Sequence, residues 1–261
     1  MIATSKFVLL HLHKTGGQTL NSIIGLCIPD CKTIGYHWPV ELLPSDYQRL
    51  PLIGIIRNPW DWYVSWFAFN MRPDVQNPLF DILSDRRQKS FHETVSSLVN
   101  LGSDSAVSQQ YRRSMMLILP ETLAGNVGIG LTRNDIFQFQ DNESGYLSWL
   151  ANRMFGNLDN ANTFIGRFET LRSDFLGFME SLQVSQIDAM RFQFSRIAKK
   201  NTSLHSHYSV YYNEELRDLV FEKDRMIIEL FDYHFEDQKR SEKIIDLNGS
   251  QPSRNDQPAS D

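Results

Sequence analysis

The sequence predicts an α/β fold with a central parallel sheet, and three observations carry that expectation. Short apolar runs at Phe7–Leu10, Pro51–Ile56 and Asn162–Phe168 read as buried strands. Each run gives way to a turn and then to apolar residues at helical spacing, the alternation that builds parallel sheets. And 41% of the 261 residues are apolar, enough to bury a sizeable core in one domain.

Taken in order, Phe7–Leu10 is the first strand and Gln18–Leu26 the first helix, with Leu20, Ile23 and Ile24 on one face. Pro51–Ile56 is the second strand. It ends at Arg57-Asn58-Pro59, and Trp60–Met71 continues as an aromatic-rich helix. Residues 72–110, with Pro73, Asn77, Pro78 and mixed charge, read as a helical excursion in which Phe91–Leu101 turns Val95, Leu98 and Val99 to one side. Ala124–Gly130 is rich in small residues, and Ser144–Phe155 is helical by the spacing of Leu147, Leu150 and Met154. Asn162–Phe168 is the third strand and Leu171–Leu182 the helix behind it. Asn213–Phe231 reads as one long amphipathic helix closing the domain. Past Asp237 the chain is polar and too poor in apolar residues to offset the entropy of ordering, so residues 1–236 form the expected domain and 237–261 a disordered tail.

Charge and cysteine content exclude several classes. Lys and Arg number 26 against 31 Asp and Glu, a net charge of −5, which argues against a protein that coats nucleic acid or anionic membrane. Any anion site is therefore local. Cys27 and Cys31 are the only cysteines, too few for a disulfide framework or a four-ligand structural zinc site, and they read as packing residues of a reduced, cytoplasmic protein. The apolar run at the N-terminus is far short of a membrane span.

Two motifs carry chemistry. His11-Leu-His13-Lys14-Thr15-Gly16-Gly17-Gln18-Thr19 stands where the first strand meets the first helix. Glycines there let the backbone approach an anion, a helix N-terminus points N–H groups at it, Lys14 supplies charge, and Thr15 and Thr19 supply hydroxyls. The nucleoside-triphosphate loop GxxxxGK[ST] is absent, because the lysine precedes the glycines. At the end of the second strand, Arg57 offers a planar fork to a phosphate and Ser65, eight residues on, a hydroxyl; pairing of Arg57 with Asp61 is the competing reading. Two anion sites at the carboxyl ends of two parallel strands suit a ligand with two separate phosphate groups.

Lys14-Thr-Gly-Gly followed by Arg57-Asn-Pro-Trp and Ser65 resembles the PAPS-dependent sulfotransferases. Ile165-Gly-Arg-Phe-Glu169 through Asp174, Asn201–Tyr212 and Phe231–Phe235 resemble later segments of that family, in its carbohydrate-type branch. The likeness falls in scattered blocks from about residue 7 to 235 and is weak across 72–160. It implies a P-loop-like three-layer α/β/α fold with a helical insertion, and transfer of the sulfuryl group of 3′-phosphoadenosine 5′-phosphosulfate (PAPS) to an acceptor hydroxyl, leaving 3′-phosphoadenosine 5′-phosphate (PAP). By position, Lys14, Thr15, Gly16, Gly17, Gln18 and Thr19 then cradle the 5′-phosphosulfate, and Arg57 and Ser65 hold the 3′-phosphate. Many relatives carry Thr or Ser where Gln18 stands. Oriented donors and one lysine suffice for such a transfer, so no metal is expected.

An attacking hydroxyl must lose a proton, and of seven histidines His37, in Gly35-Tyr36-His37-Trp38-Pro39 between the two motifs, is the expected general base. Glu41 is the runner-up. His11 reads as strand packing, and His13 as a flank of the phosphate loop. His205, His207, Arg196, Lys199 and Lys200 belong to a late basic segment that either meets the ligand or is a solvated face. Trp60, Trp62, Tyr63, Trp66, Phe67 and Phe69 read as core rather than a sugar platform. The acceptor is a carbohydrate, lipid or small metabolite, and the overall acidity speaks against a highly sulfated polysaccharide. A small-molecule kinase using ATP and Mg²⁺, and a nucleotide-binding protein without catalysis, are the alternative classes.

Overall fold

The structure is a computed structural model that describes residues 1–123, 129–158, 162–196 and 206–236. Its sheet takes strands β1 (Ile2–Ala3), β2 (Val8–Leu9), β3 (Lys32–Thr33), β4 (Leu52–Ile56) and β5 (Thr163–Arg167) in the order β3-β1-β2-β4-β5. The three strands expected from the sequence lie side by side and parallel, with Val8 opposite Leu52 and Leu52 opposite Thr163. Their carboxyl ends therefore open onto one edge. The sheet is not parallel throughout: β1 pairs antiparallel with both β2 and β3. Two-residue strands carry too little sequence for a period-2 pattern to register, so this edge has no sequence signature.

Alternation along the strands sends side chains to opposite faces, and each face is covered by helices. Phe7, Leu9, Ile53 and Ile55 face a core made with Leu20, Ile23 and Ile24 of α1 (Gly17–Cys27), Phe175 and Met179 of α8 (Leu171–Ser181) and Met190 of α9 (Ile187–Arg196). Val8, Leu10, Leu52 and Ile56 face the larger core, built with α2 (Pro59–Asn70) and α3 (Pro78–Leu83), α4 (Phe91–Val99), α5 (Ala106–Ile118), α6 (Arg133–Gln138) and α7 (Tyr146–Phe155). The result is three layers, with a helical insertion between β4 and β5 that packs onto one face. Gly54 is required in the middle of β4, because a Cβ there would lie 2.4 Å from the Phe155 ring.

The expected long C-terminal helix is two: α10 (Glu214–Lys223) and α11 (Arg225–Leu230), broken at Asp224. Asp224 is fully buried, and its carboxylate accepts from the Tyr63 hydroxyl at 2.8 Å and from the Ser148 N–H and hydroxyl, both at 2.8 Å. Three donors aimed at one buried side chain hold its backbone off the helical path. Among the described residues no helix is long and apolar enough to cross a membrane. The tail expected over 237–261 lies outside the described residues, as do most of the small-residue stretch, 124–128, and Lys199, Lys200 and His205.

Candidate functional site

The phosphate-loop motif runs from the end of β2 into α1. Gly16, with φ +79°, is the N-cap, and only a residue without a side chain fits: a Cβ would lie 2.9 Å from Leu171 and 3.1 Å from the Phe168 ring. Lys14 also takes a left-handed backbone, φ 61°. The first turn of α1 contains no acidic side chain, so no carboxylate competes for the positive end of the helix. Thr19 N–H closes the first turn onto the Gly16 carbonyl at 2.9 Å, and Gln18 is exposed. Thr15 is buried and its hydroxyl donates to the Leu12 carbonyl at 2.9 Å, which shapes the loop from inside.

The second motif is stitched to the first. Asn58 caps α2 through its side chain, which accepts from Trp60 N–H at 3.1 Å, and Pro59 fills the first helical position, so half of the Arg-Asn-Pro-Trp block starts a helix. Trp62 Nε1 donates to the His13 carbonyl at 2.7 Å, and an Arg57 guanidinium nitrogen donates to the Lys14 carbonyl at 3.1 Å. The rest of the Arg57 fork meets Asp61, at 2.8 Å from Nε and 2.7 Å from a terminal nitrogen, and its flat face lies 4.4 Å from the centre of the Phe168 ring. Arg57 and the phosphate loop are thus one unit. Ser65 is buried on α2 and makes no hydrogen bond with Arg57 among the described residues.

The third strand contributes a brace the sequence reading did not assign. Glu169, just past β5, accepts from the Asn58 backbone N–H at 2.8 Å and from the Tyr233 hydroxyl at 2.9 Å, joining the ends of β4 and β5 to the C-terminal segment. A glutamate after an apolar run gives no sequence signal for such a role.

The electrostatics single out Lys14. Its ammonium lies 4.0 Å over the Phe69 ring, and its pKa is lowered to about 8, chiefly by burial and then by the nearby positive charges of Arg57 and Arg72. Asp61 and Asp74 are engaged by Arg57 and Arg72 respectively, and Lys14 itself has no carboxylate in salt-bridge contact among the described residues. A bound anion would relieve that strain on the charge.

His37 is buried beside the loop, in a left-handed backbone conformation (φ 54°), with Nδ1 2.7 Å from the His11 carbonyl. A carbonyl only accepts, so Nδ1 carries the proton and the lone pair sits on Nε2, the tautomer a general base needs. Burial lowers its pKa well below the ordinary histidine value, with His13 and His11 adding to the effect. Glu41 is exposed in a short 3-10 helix over Val40–Leu42. Beside His13 lies a cavity of about 20 Å³, room for one water-sized group, walled by Trp62, Trp66, Tyr146, Leu79 and Leu150. Trp60, Trp62, Tyr63 and Trp66 are core residues, whereas Phe67 and Phe69 are half-buried. Arg196 is exposed at the end of α9 over the Phe192 ring, and His207 Nδ1 lies 2.9 Å from the Ser209 hydroxyl.

No family model matches the chain, and no curated protein matches it. Among solved structures it is similar to mouse sulfotransferase SULT7A1 complexed with PAP, at 15% identity and a TM-score of 0.42, over 95% of this chain and 89% of that one.

Proposed function

We propose that the protein is a sulfotransferase that moves the sulfuryl group of PAPS to an acceptor hydroxyl. The observation that carries this reading is the joining of the two motifs at the carboxyl edge of adjacent parallel strands, with a half-buried Lys14 at its centre that meets no carboxylate among the described residues. The donor set suits two separated phosphate groups: Lys14, the Gly16-Gly17 backbone, Gln18 and Thr19 at the helix start would hold the 5′-phosphosulfate, with Thr15 shaping the loop, and Arg57 with Ser65 would hold the 3′-phosphate. Gly16, in a left-handed conformation packed against Leu171 and Phe168, turns the loop into α1 so that the helix start stands beside Lys14.

In the transfer, the acceptor oxygen forms a bond to sulfur as the bond from sulfur to the bridging phosphate oxygen breaks. The acceptor proton passes to His37 Nε2, and the electron pair of the broken bond leaves on the PAP oxygen, where the Lys14 charge offsets it. The acceptor remains a carbohydrate, lipid or small-metabolite hydroxyl. Membership of the carbohydrate-type branch, a single catalytic domain over 1–236 and a cytoplasmic location belong to the same proposal.

Calorimetric titration with PAP, in parallel with ATP plus Mg²⁺, tests the donor assignment. Tight binding of PAP without metal is the expected result; preference for ATP overturns it in favour of a kinase, and no binding by a folded sample overturns it outright. With an acceptor in hand, His37→Ala is expected to abolish turnover while leaving PAP binding intact; unchanged turnover removes His37 from the mechanism.

A further inference from the structure

Three imidazoles meet behind the phosphate loop. The His13 ring lies stacked on His37, with centroids 3.6 Å apart and planes 15° from parallel, and His11 approaches the same ring at 4.3 Å and 43°. Tyr36 closes a further side edge-on at 4.3 Å. The packing is tight: a Cβ on Gly130 would lie 2.8 Å from the His37 Cβ and 3.3 Å from the His13 ring, and one on Gly17 would lie 1.8 Å from the His11 ring. His11 Nδ1 is buried without a hydrogen-bond partner among the described residues, as suits an uncharged imidazole.

We propose that His13 is a positioning residue for His37, its stacked ring holding the His37 imidazole neutral and in the Nδ1–H tautomer so that Nε2 stays ready to take a proton in acid as well as neutral solution. This rests on the reading of His37 as the general base. Burial and the charged groups that face His37 favour the neutral form, while the bond from Nδ1 to the His11 carbonyl works the other way and is outweighed. From the loop after β2 come His11 and His13, from its own segment Tyr36, from the segment before α6 the uncharged Gly130, and from the N-terminus the Met1 amine, which donates to the Gly35 carbonyl at 2.6 Å and whose pKa burial lowers to about 6. No carboxylate among the described residues acts on it. Among the described residues an imidazolium at His37 would face neutral or positive side chains, while its Nδ1–H is already committed to the His11 carbonyl. The sequence places His13 next to Lys14, so the same loop that sets the charge of the donor site sets the protonation of the base.

The test follows the ring Cε1–H signal of His37 by NMR between about pH 4.5 and 8 in the full chain, for the unmodified protein, His13→Phe and His13→Ser. An ordinary histidine titrates near pH 6.5. The expected midpoint of His37 lies well below that in the unmodified protein and in His13→Phe, which keeps a stacked ring, and rises toward the ordinary range in His13→Ser. The acid limb of kcat/KM should move with it. A midpoint in the ordinary range for the unmodified protein, a rise to that range in His13→Phe, or no rise in a folded His13→Ser overturns the proposal; if His13→Ser does not fold, the first two readings still decide. Because the titration needs no turnover, it is separable from the base assignment, which fails instead if His37→Ala leaves turnover unchanged.

Discussion

Lys14 gives the most direct handle on the donor site, because its charge is held at a disadvantage until an anion arrives. With a pKa of about 8 against an ordinary 10.5, lowered first by burial and then by Arg57 and Arg72, the ammonium is half deprotonated at pH 8 in the free protein. An anion beside it reverses the balance and returns the pKa toward its ordinary value, so binding must take up protons. The uptake is about 0.1 proton per site at pH 7, about 0.5 at pH 8 and about 0.9 at pH 9, and full recovery of the shift is worth at most about 3 kcal/mol. Affinity should accordingly be flat below pH 8 and fall by about tenfold per pH unit above it. Titration calorimetry with PAP in two buffers of different ionisation enthalpy measures the uptake directly, since the ligand phosphates are already ionised in this range. Lys14→Arg keeps the charge without the titration and should bind with no uptake. Tight binding with no proton uptake at pH 8 to 9, or uptake that persists in Lys14→Arg, would refute the placement of the anion at Lys14.

Other consequences concern the fold that supports this site. His11 has a pKa of about 3 from burial, followed by repulsion from His13, so the unfolded chain binds a proton below pH 6.5 that the folded chain refuses, and stability is lost as pH falls from 6.5. His37 acts in the same direction. Asp224, raised to about 6 by burial, acts oppositely and adds stability as pH falls from 6 toward 3.8. At pH 5 His11 costs about 2 kcal/mol and Asp224 returns about 1, a net loss of about 1 kcal/mol from pH 7 to which His37 adds in the same direction. A urea midpoint equal or higher at pH 5 would contradict that balance. Gly17→Ala should destabilise by about 1–3 kcal/mol, because its Cβ would lie 1.8 Å from the His11 ring and must push that ring into the histidine stack; thermal melting that matches the unmodified protein would show that the stack yields freely. Tyr63→Phe removes one donor from the buried Asp224 carboxylate and should cost about 1–3 kcal/mol in urea unfolding while leaving PAP affinity unchanged.

The parts of this molecule that were legible in the sequence are those governed by local chemistry. β4, α1 and α2 follow from apolar runs and their spacing, and their bounds agree with expectation to within a residue or two. The helices α5 and α9 were missed for a physical reason: each buries only a narrow strip, Ser108, Arg112 and Met115 in one and Met190 in the other, so neither writes a broad apolar stripe. The site shows the same division. Lys14, Gly16 and Arg57 are visible as residue types suited to an anion, but the bond from Arg57 to the Lys14 carbonyl, the Trp62 bond to His13 and the Glu169 brace join residues 43, 49 and 111 positions apart, and no local pattern encodes them. The break at Asp224 is the sharpest case. Read along the chain, Asn213–Phe231 keeps a helical stripe across Asp224, and an aspartate on its polar side looks solvated. In the folded protein that carboxylate points inward to Tyr63 and Ser148, residues of α2 and α7. Asp224 keeps its N–H bond to the Val220 carbonyl and its carbonyl still accepts from Ile228 N–H, so the break is a local turn of the backbone that sets the carboxylate against Tyr63 and Ser148, a requirement that exists only once α2 and α7 are packed beside it.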